Sequence, residues 1–128
     1  FSYFKGEEWR TQKLVKELLA KYFTTKPDGI PGNDDAGTMS AWAIFSMMGL
    51  YPDCPGVPEY TLTLPTFDKV TIKLDPKYHG TDQLVIEVAN PDAPSDYVKS
   101  IEMGGKKCGY RINHNDLLKA VTLRCYKK

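Results

Sequence analysis

The polar and apolar positions of the chain fall into zones of different texture. Between about Glu7 and Phe23, the residues Leu14, Val15, Leu18, Leu19, Tyr22 and Phe23 recur at helical spacing. Glu17 lies four residues from both Lys13 and Lys21, and acidic Glu7 and Glu8 precede basic Lys21, as the helix dipole prefers. The spacing predicts an amphipathic helix. Residues Thr24 to Gly37 turn to Pro, Gly, Asn and Asp, which is loop chemistry. Met39 to Met48, with Trp42, Ile44, Phe45 and Met47, is apolar nearly all round and stops at Gly49, a residue suited to a left-handed helix end. A helix apolar on every side belongs inside a larger body than a small domain provides.

After Pro65 the period drops to two. Phe67 to Leu74 alternates Val70, Ile72 and Leu74 with Lys69, Thr71 and Lys73, and Gln83 to Val88 alternates Leu84, Ile86 and Val88. Tyr97 to Met103 predicts a third strand, and Gly104-Gly105 a turn toward Tyr110 and Ile112. Asn113 suits the cap of a short helix around Asp116 to Lys119, with a last strand over Val121 to Tyr126. The expected fold is α+β: two amino-terminal helices followed by a mostly antiparallel β-sheet, without βαβ alternation. Residues 1–50 form the helical part and 51–128 the mostly β part of one segment.

Composition adds bounds. The 128 residues are 41% hydrophobic and 26% charged, near globular averages, so neither disorder nor a membrane span is expected. The longest apolar run, Ala41 to Phe45, is far too short for a bilayer. The net charge of +1 gives no electrostatic footprint for nucleic acid. Cys54, Cys108 and Cys125 are odd in number and lack C-x-x-C spacing, which argues against a disulfide framework or structural zinc and for three buried thiols. The chain opens on Phe1 within an aromatic cluster of Phe1, Tyr3 and Phe4 and shows no signal peptide, which reads as a piece of a longer protein.

The segment with chemical content is Pro27-Asp28-Gly29-Ile30-Pro31-Gly32-Asn33-Asp34-Asp35-Ala36-Gly37. Three glycines and two prolines fix the backbone path, and such a loop can hold carboxylates in a defined place with little entropy left to lose. Adjacent acids repel, so Asp34 and Asp35 should face different partners, one as general base and the other orienting water, sugar or cation. On residue chemistry alone the commoner role is capping, since Asp and Asn before an apolar helix usually bond the free amides of its first turn. A phosphate loop is weakly supported, because neither G-x-G-x-x-G nor G-K-[ST] occurs.

The run GIPGNDDAGTMSAWAIFSMMGLYPDCPGVPEYTLTLPTFDKVTIKL resembles the α-mannosidases of glycoside hydrolase family 92. It follows their order of a Gly-hydrophobe-Pro-Gly-Asn-acid-Asp loop, a Met-Ser-Ala-Trp helix start, Gly-hydrophobe-Tyr-Pro, Pro-Glu-Tyr and Phe-Asp-Lys-Val. Thr11 to Val15 and Tyr110 to Leu123 are similar as well, so the likeness spans essentially the whole chain. The resemblance implies an exo-acting, inverting, calcium-dependent enzyme that removes terminal mannose, often α-1,2-linked, from mannose-containing glycans in a periplasmic or extracellular setting. It also implies that this chain is the carboxy-terminal segment of a larger catalytic domain, supplying the last helices of an (α/α)6 barrel and the strands after them. The remainder of the parent polypeptide is then its partner. Position by position, Asp35 matches the general base, Asn33 a neighbouring polar position of the same site, and Asp34 a less defined member that supports the loop or calcium-bound waters. The general acid is a Glu in an earlier segment without counterpart here, and calcium, which takes six to eight oxygens, would draw its ligands mostly from outside this chain. Alone, the segment should be inactive.

Thr38 stands where the family usually carries Gln, Ala36 where Cys is common, and Thr63-Leu64 where Gly-Ser is common; the first bears on linkage preference. The alternative is a non-catalytic carbohydrate-binding or structural β-rich module, and a binding module should show a row of aromatics on one sheet face. Trp9 and Trp42 suit sugar stacking, yet core packing is the usual fate of a Trp within an apolar helix. His79 reads as a solvated turn residue and His114 as part of cap chemistry.

Overall fold

The computed structural model describes residues 4–128; Phe1 and Tyr3 of the aromatic cluster lie outside the described residues. Helix α1 (Glu8–Tyr22) is followed by a long loop and helix α2 (Thr38–Met48). Short strands β1 (Leu50–Tyr51) and β2 (Glu59–Leu62) come next, then β3 (Lys69–Lys73), a one-turn helix α3 (Pro76–His79) and β4 (Gln83–Val88). Strands β5 (Val98–Met103), β6 (Lys106–Cys108) and β7 (Arg111–Asn113), helix α4 (His114–Ala120) and strand β8 (Thr122–Lys127) complete the described chain. The architecture is α+β.

The strands form two sheets. One is three-stranded, ordered β1-β2-β7 and antiparallel throughout. The other is five-stranded, ordered β3-β4-β8-β5-β6, with β8 in the middle. Its pairs are antiparallel except β4 with β8, which run parallel, Ile86 opposite Leu123. The alternation seen in the sequence sets the inner face: Leu84, Ile86, Val98, Ile101, Leu123 and Cys125 are buried there together with Leu50, Leu62 and Ile112 of the small sheet and Leu117 of α4. Each such aliphatic side chain contributes roughly 1.5–3 kcal/mol.

The outer face of the large sheet is charged. Register places Lys69 opposite Glu87, Glu87 beside Arg124, Arg124 opposite Glu102, and Glu102 opposite Lys107. The sign therefore alternates along one row that crosses every strand. Arg124 is ion-paired with Glu87, and Tyr126 donates its hydroxyl to Glu102 at 3.0 Å. The aromatic row expected of a sugar-binding sheet is not found among the described residues of this face.

Helix α1 divides its apolar positions between two sides. Val15, Leu19 and Phe23 turn inward, and the Phe23 ring stacks on Trp42 of α2 at 5.3 Å and 25°. Leu14, Leu18 and Tyr22 face outward and are exposed, as is Ile44 of α2 at 54%. Buried Gln12 ties α1 to the large sheet by accepting the Val98 amide at 2.8 Å. Helix α2 ends at Gly49, whose φ of 84° and close approach to Pro65 and the Thr63 carbonyl leave no room for a Cβ.

Several expectations change. Only Cys125 is buried; Cys108 is half-buried and Cys54 exposed, because Cys54 sits in the Pro-rich connection after β1 and not in a strand. All three are free thiols. His79 ends a helical turn that Asp75 starts by accepting the Lys77 amide at 2.8 Å, so it lies in α3 and not in an open turn, though still exposed. Asn113 caps α4 as the sequence predicts, accepting the Asn115 amide at 2.9 Å, while His114 Nδ1 meets the Tyr60 hydroxyl at 2.9 Å. No helix of the described residues is long and apolar enough to cross a membrane.

Candidate active site

The loop between α1 and α2 is closed at its base by backbone bonds. Thr24 donates to the Gly29 carbonyl at 3.0 Å, and Gly29 to the Lys26 carbonyl at 2.9 Å. A Cβ on Gly29 would lie 2.2 Å from the Thr24 carbonyl oxygen, so only glycine fits. Beyond this pinch the chain runs along the surface through Ile30, Pro31, Gly32 and Asn33, all exposed.

The two acids that follow take different positions. Asp34 is half-buried, and its carboxylate accepts both the backbone amide of Ser40 at 2.8 Å and the Ser40 hydroxyl at 2.9 Å. Its carbonyl accepts the Met39 amide at 3.2 Å, and the Asp35 carbonyl accepts the Thr38 amide at 3.3 Å. The amides of Thr38, Met39 and Ser40 are therefore satisfied by Asp34 and by the Asp35 backbone, although Gly37 at the helix start has no side chain to cap with. The Asp35 carboxylate takes no part in this. It is exposed and hydrogen-bonds to none of the described residues. Asn33 is exposed as well.

A left-handed turn separates the two carboxylates. Asp35, Ala36 and Gly37 have φ of 47°, 58° and 92° in succession. Asp tolerates this region through its short polar side chain, whereas Ala adopts it only under constraint. Thr38 turns its hydroxyl back onto the Asp35 carbonyl at 2.8 Å, so the side chain standing where the family has Gln is used inside the loop.

The site is a ledge and not a pocket. The main clefts of the described surface are lined by other residues; one of about 460 Å³ lies among Lys16, Phe23, Met47, Pro65 and Asp68. Trp42, half-buried against Phe23, packs the helices together. Trp9 lies at the far end of α1 and meets Tyr97 edge-on at 6.4 Å. Among the described residues no three Asp, Glu, His or Cys side chains converge as a metal site would require. Ser40, the residue that fixes Asp34, stands out in the sequence only as a polar position in an apolar helix.

The chain belongs to glycosyl hydrolase family 92: the family's catalytic-domain model matches residues 1–126. The fold is similar to that of a family 92 α-mannosidase from Bacteroides thetaiotaomicron solved in complex with mannoimidazole, with 28% identity and a TM-score of 0.82 over 95% of this chain and 16% of that one. It is likewise similar to a family 92 inverting mannosidase of the same organism, with 31% identity and a TM-score of 0.80 over 98% of this chain and 17% of that one. A protein of Arthroderma benhamiae described as an uncharacterized secreted glycosidase is 35% identical over 71 residues, which is 56% of this chain and 9% of that protein. The chain thus spans less than a fifth of the length of these relatives.

Proposed function

We propose that this chain supplies the general-base side of an inverting, calcium-dependent α-mannosidase that removes terminal, α-1,2-linked mannose from glycans outside the cytoplasm. The observation that carries the reading is the unequal use of the two acids. Asp34 and the backbone meet every demand of the helix start, which leaves the Asp35 carboxylate unspent and turned to solvent. A carboxylate with no structural duty, on a backbone that cannot swing far, is suited to draw a proton from an attacking water. Asn33 is placed to orient that water or a sugar hydroxyl. The general acid then comes from the rest of the parent polypeptide, roughly 6.5–9.5 Å from the Asp35 carboxyl, the gap in which inverting enzymes hold water. Calcium, when bound, neutralises charge and holds sugar hydroxyls, through ligands mostly supplied from outside this chain.

The test uses the full-length enzyme and α-1,2-mannobiose. Asp35→Asn should lower kcat on the order of a hundredfold or more, with the protein still folded. Near-normal turnover by that variant sinks the assignment of Asp35. The 128-residue chain alone should release no mannose, and measurable turnover by it would overturn the claim that acid and metal site lie elsewhere.

A further inference from the structure

We infer that Ser40 is a positioning residue for Asp35, acting through Asp34 as a latch that holds the left-handed turn between the two acids. This rests on the reading of Asp35 as the base.

Asp35 and Ala36 both occupy the left-handed region, where a non-glycine residue is strained. Such a turn persists only when its surroundings over-determine it. The bonds that do so span its two ends. The Asp34 carboxylate grips Ser40 at two points, amide and hydroxyl, and the Asp34 and Asp35 carbonyls hold Met39 and Thr38. Ser40 is the side chain that turns this from an ordinary cap into a clamp. A helical serine usually bonds the carbonyl one turn back; here it donates to a carboxylate outside the helix, on the loop. Without that hydroxyl one oxygen of half-buried Asp34 loses its donor, the carboxylate is held at the Ser40 amide alone, and the turn is less firmly fixed. Asp35 would then sample several directions.

In the full-length enzyme, Ser40→Ala should lower kcat about tenfold to a hundredfold, the range expected of a small misplacement, with KM nearly unchanged. Ser40→Thr, which keeps the hydroxyl, should restore most of the rate. A serine important only for stability would instead lower the melting temperature and the active fraction and leave kcat per folded enzyme unchanged. That result overturns the inference. If Ser40→Ala does not fold, Ser40→Cys takes its place: it keeps the backbone amide bond to Asp34 and exchanges the hydroxyl for a thiol, a weak donor. Wild-type kcat in that variant overturns the latch; a lower kcat at constant KM supports it. Asp35→Asn, measured in parallel, separates the two levels. Its inactivity beside an unaffected Ser40→Ala rejects the latch alone, whereas full activity of Asp35→Asn rejects the base as well.

Discussion

The outer face of the five-stranded sheet and the outer face of the two amino-terminal helices treat water in opposite ways. Across the sheet, Lys69, Glu87, Arg124, Glu102 and Lys107 alternate in sign along a single row, so each charge has opposite neighbours within the chain. This face is finished. Across the helices, Leu14, Leu18, Tyr22 and Ile44 stand exposed at between 39% and 54%, with the Lys21 ammonium over the Tyr22 ring at 5.0 Å. The contrast separates a face whose charges are matched within the chain from one that leaves apolar side chains in water; we propose that the second meets the rest of a catalytic domain.

Four experiments break or sharpen the contrast. The largest effect belongs to the core beneath both faces: Leu123→Ala should cost about 2–5 kcal/mol, since Leu123 is fully buried and a cavity would remain. Urea unfolding of the isolated chain measures this, and a loss below 1 kcal/mol would mean the core is not packed as described. Next is Leu18→Asp combined with Ile44→Asp. In the full-length enzyme the pair should cost several kcal/mol, because charges would be buried at an apolar contact. In the isolated chain it should cost little and raise solubility. Equal effects in both settings would erase the distinction between the faces.

The third concerns Cys125, whose thiol is pushed by burial from 9.0 up to about 12, with nearby Cys108 adding to the shift. The folded state holds this proton more tightly than the unfolded chain does. The resulting stability is present below pH 9 and is lost as pH rises from there toward 12. Cys125→Ala should flatten that decline in urea titrations, and in the native protein a thiol reagent should label exposed Cys54 at once and Cys125 only on unfolding. The smallest effect is expected of Arg124→Gln, a surface charge whose partners are solvated: a slight drop in melting temperature at low salt that disappears at high salt. A large, salt-insensitive drop would show that the charged row is structural and not merely compatible with water.

How much of this was legible in the residues differs by element. Helix α1 and strands β3 and β4 announce themselves because their periods, 3.6 and 2, are long enough to count. Strand β2 does not: Glu59–Leu62 is short, lies between Pro58 and Pro65, and owes its form to pairing with β7, far along the chain. Helix α3 carried an overlooked signal, since Asp75 followed by Pro76 is an N-cap and a first-turn proline. The parallel pairing of β4 with β8 is set by packing and leaves no local trace. In the loop the residue types pointed to carboxylate chemistry, yet nothing local tells Asp34 from Asp35. Their difference comes from a left-handed backbone at 35–37 that the sequence Asp-Ala-Gly permits and does not dictate. Ser40 was invisible for the same reason, as its partner lies six residues back around that turn.

The central place of β8 has a kinetic consequence. During synthesis β3 and β4 can pair early, and β5 with β6 soon after, each as a local unit. The two units have no bond to one another in the five-stranded sheet until Thr122–Lys127 slides between them. Closing that gap requires contacts across more than 30 residues to β4, a slow event compared with forming a hairpin. The inner face, with Ile86 and Ile101 on opposite sides of the gap, is incompletely covered while it waits. A nascent chain stalled before Thr122 would present two sticky half-sheets to its neighbours, so the interval just before the last strand is the moment at which a chaperone would matter most.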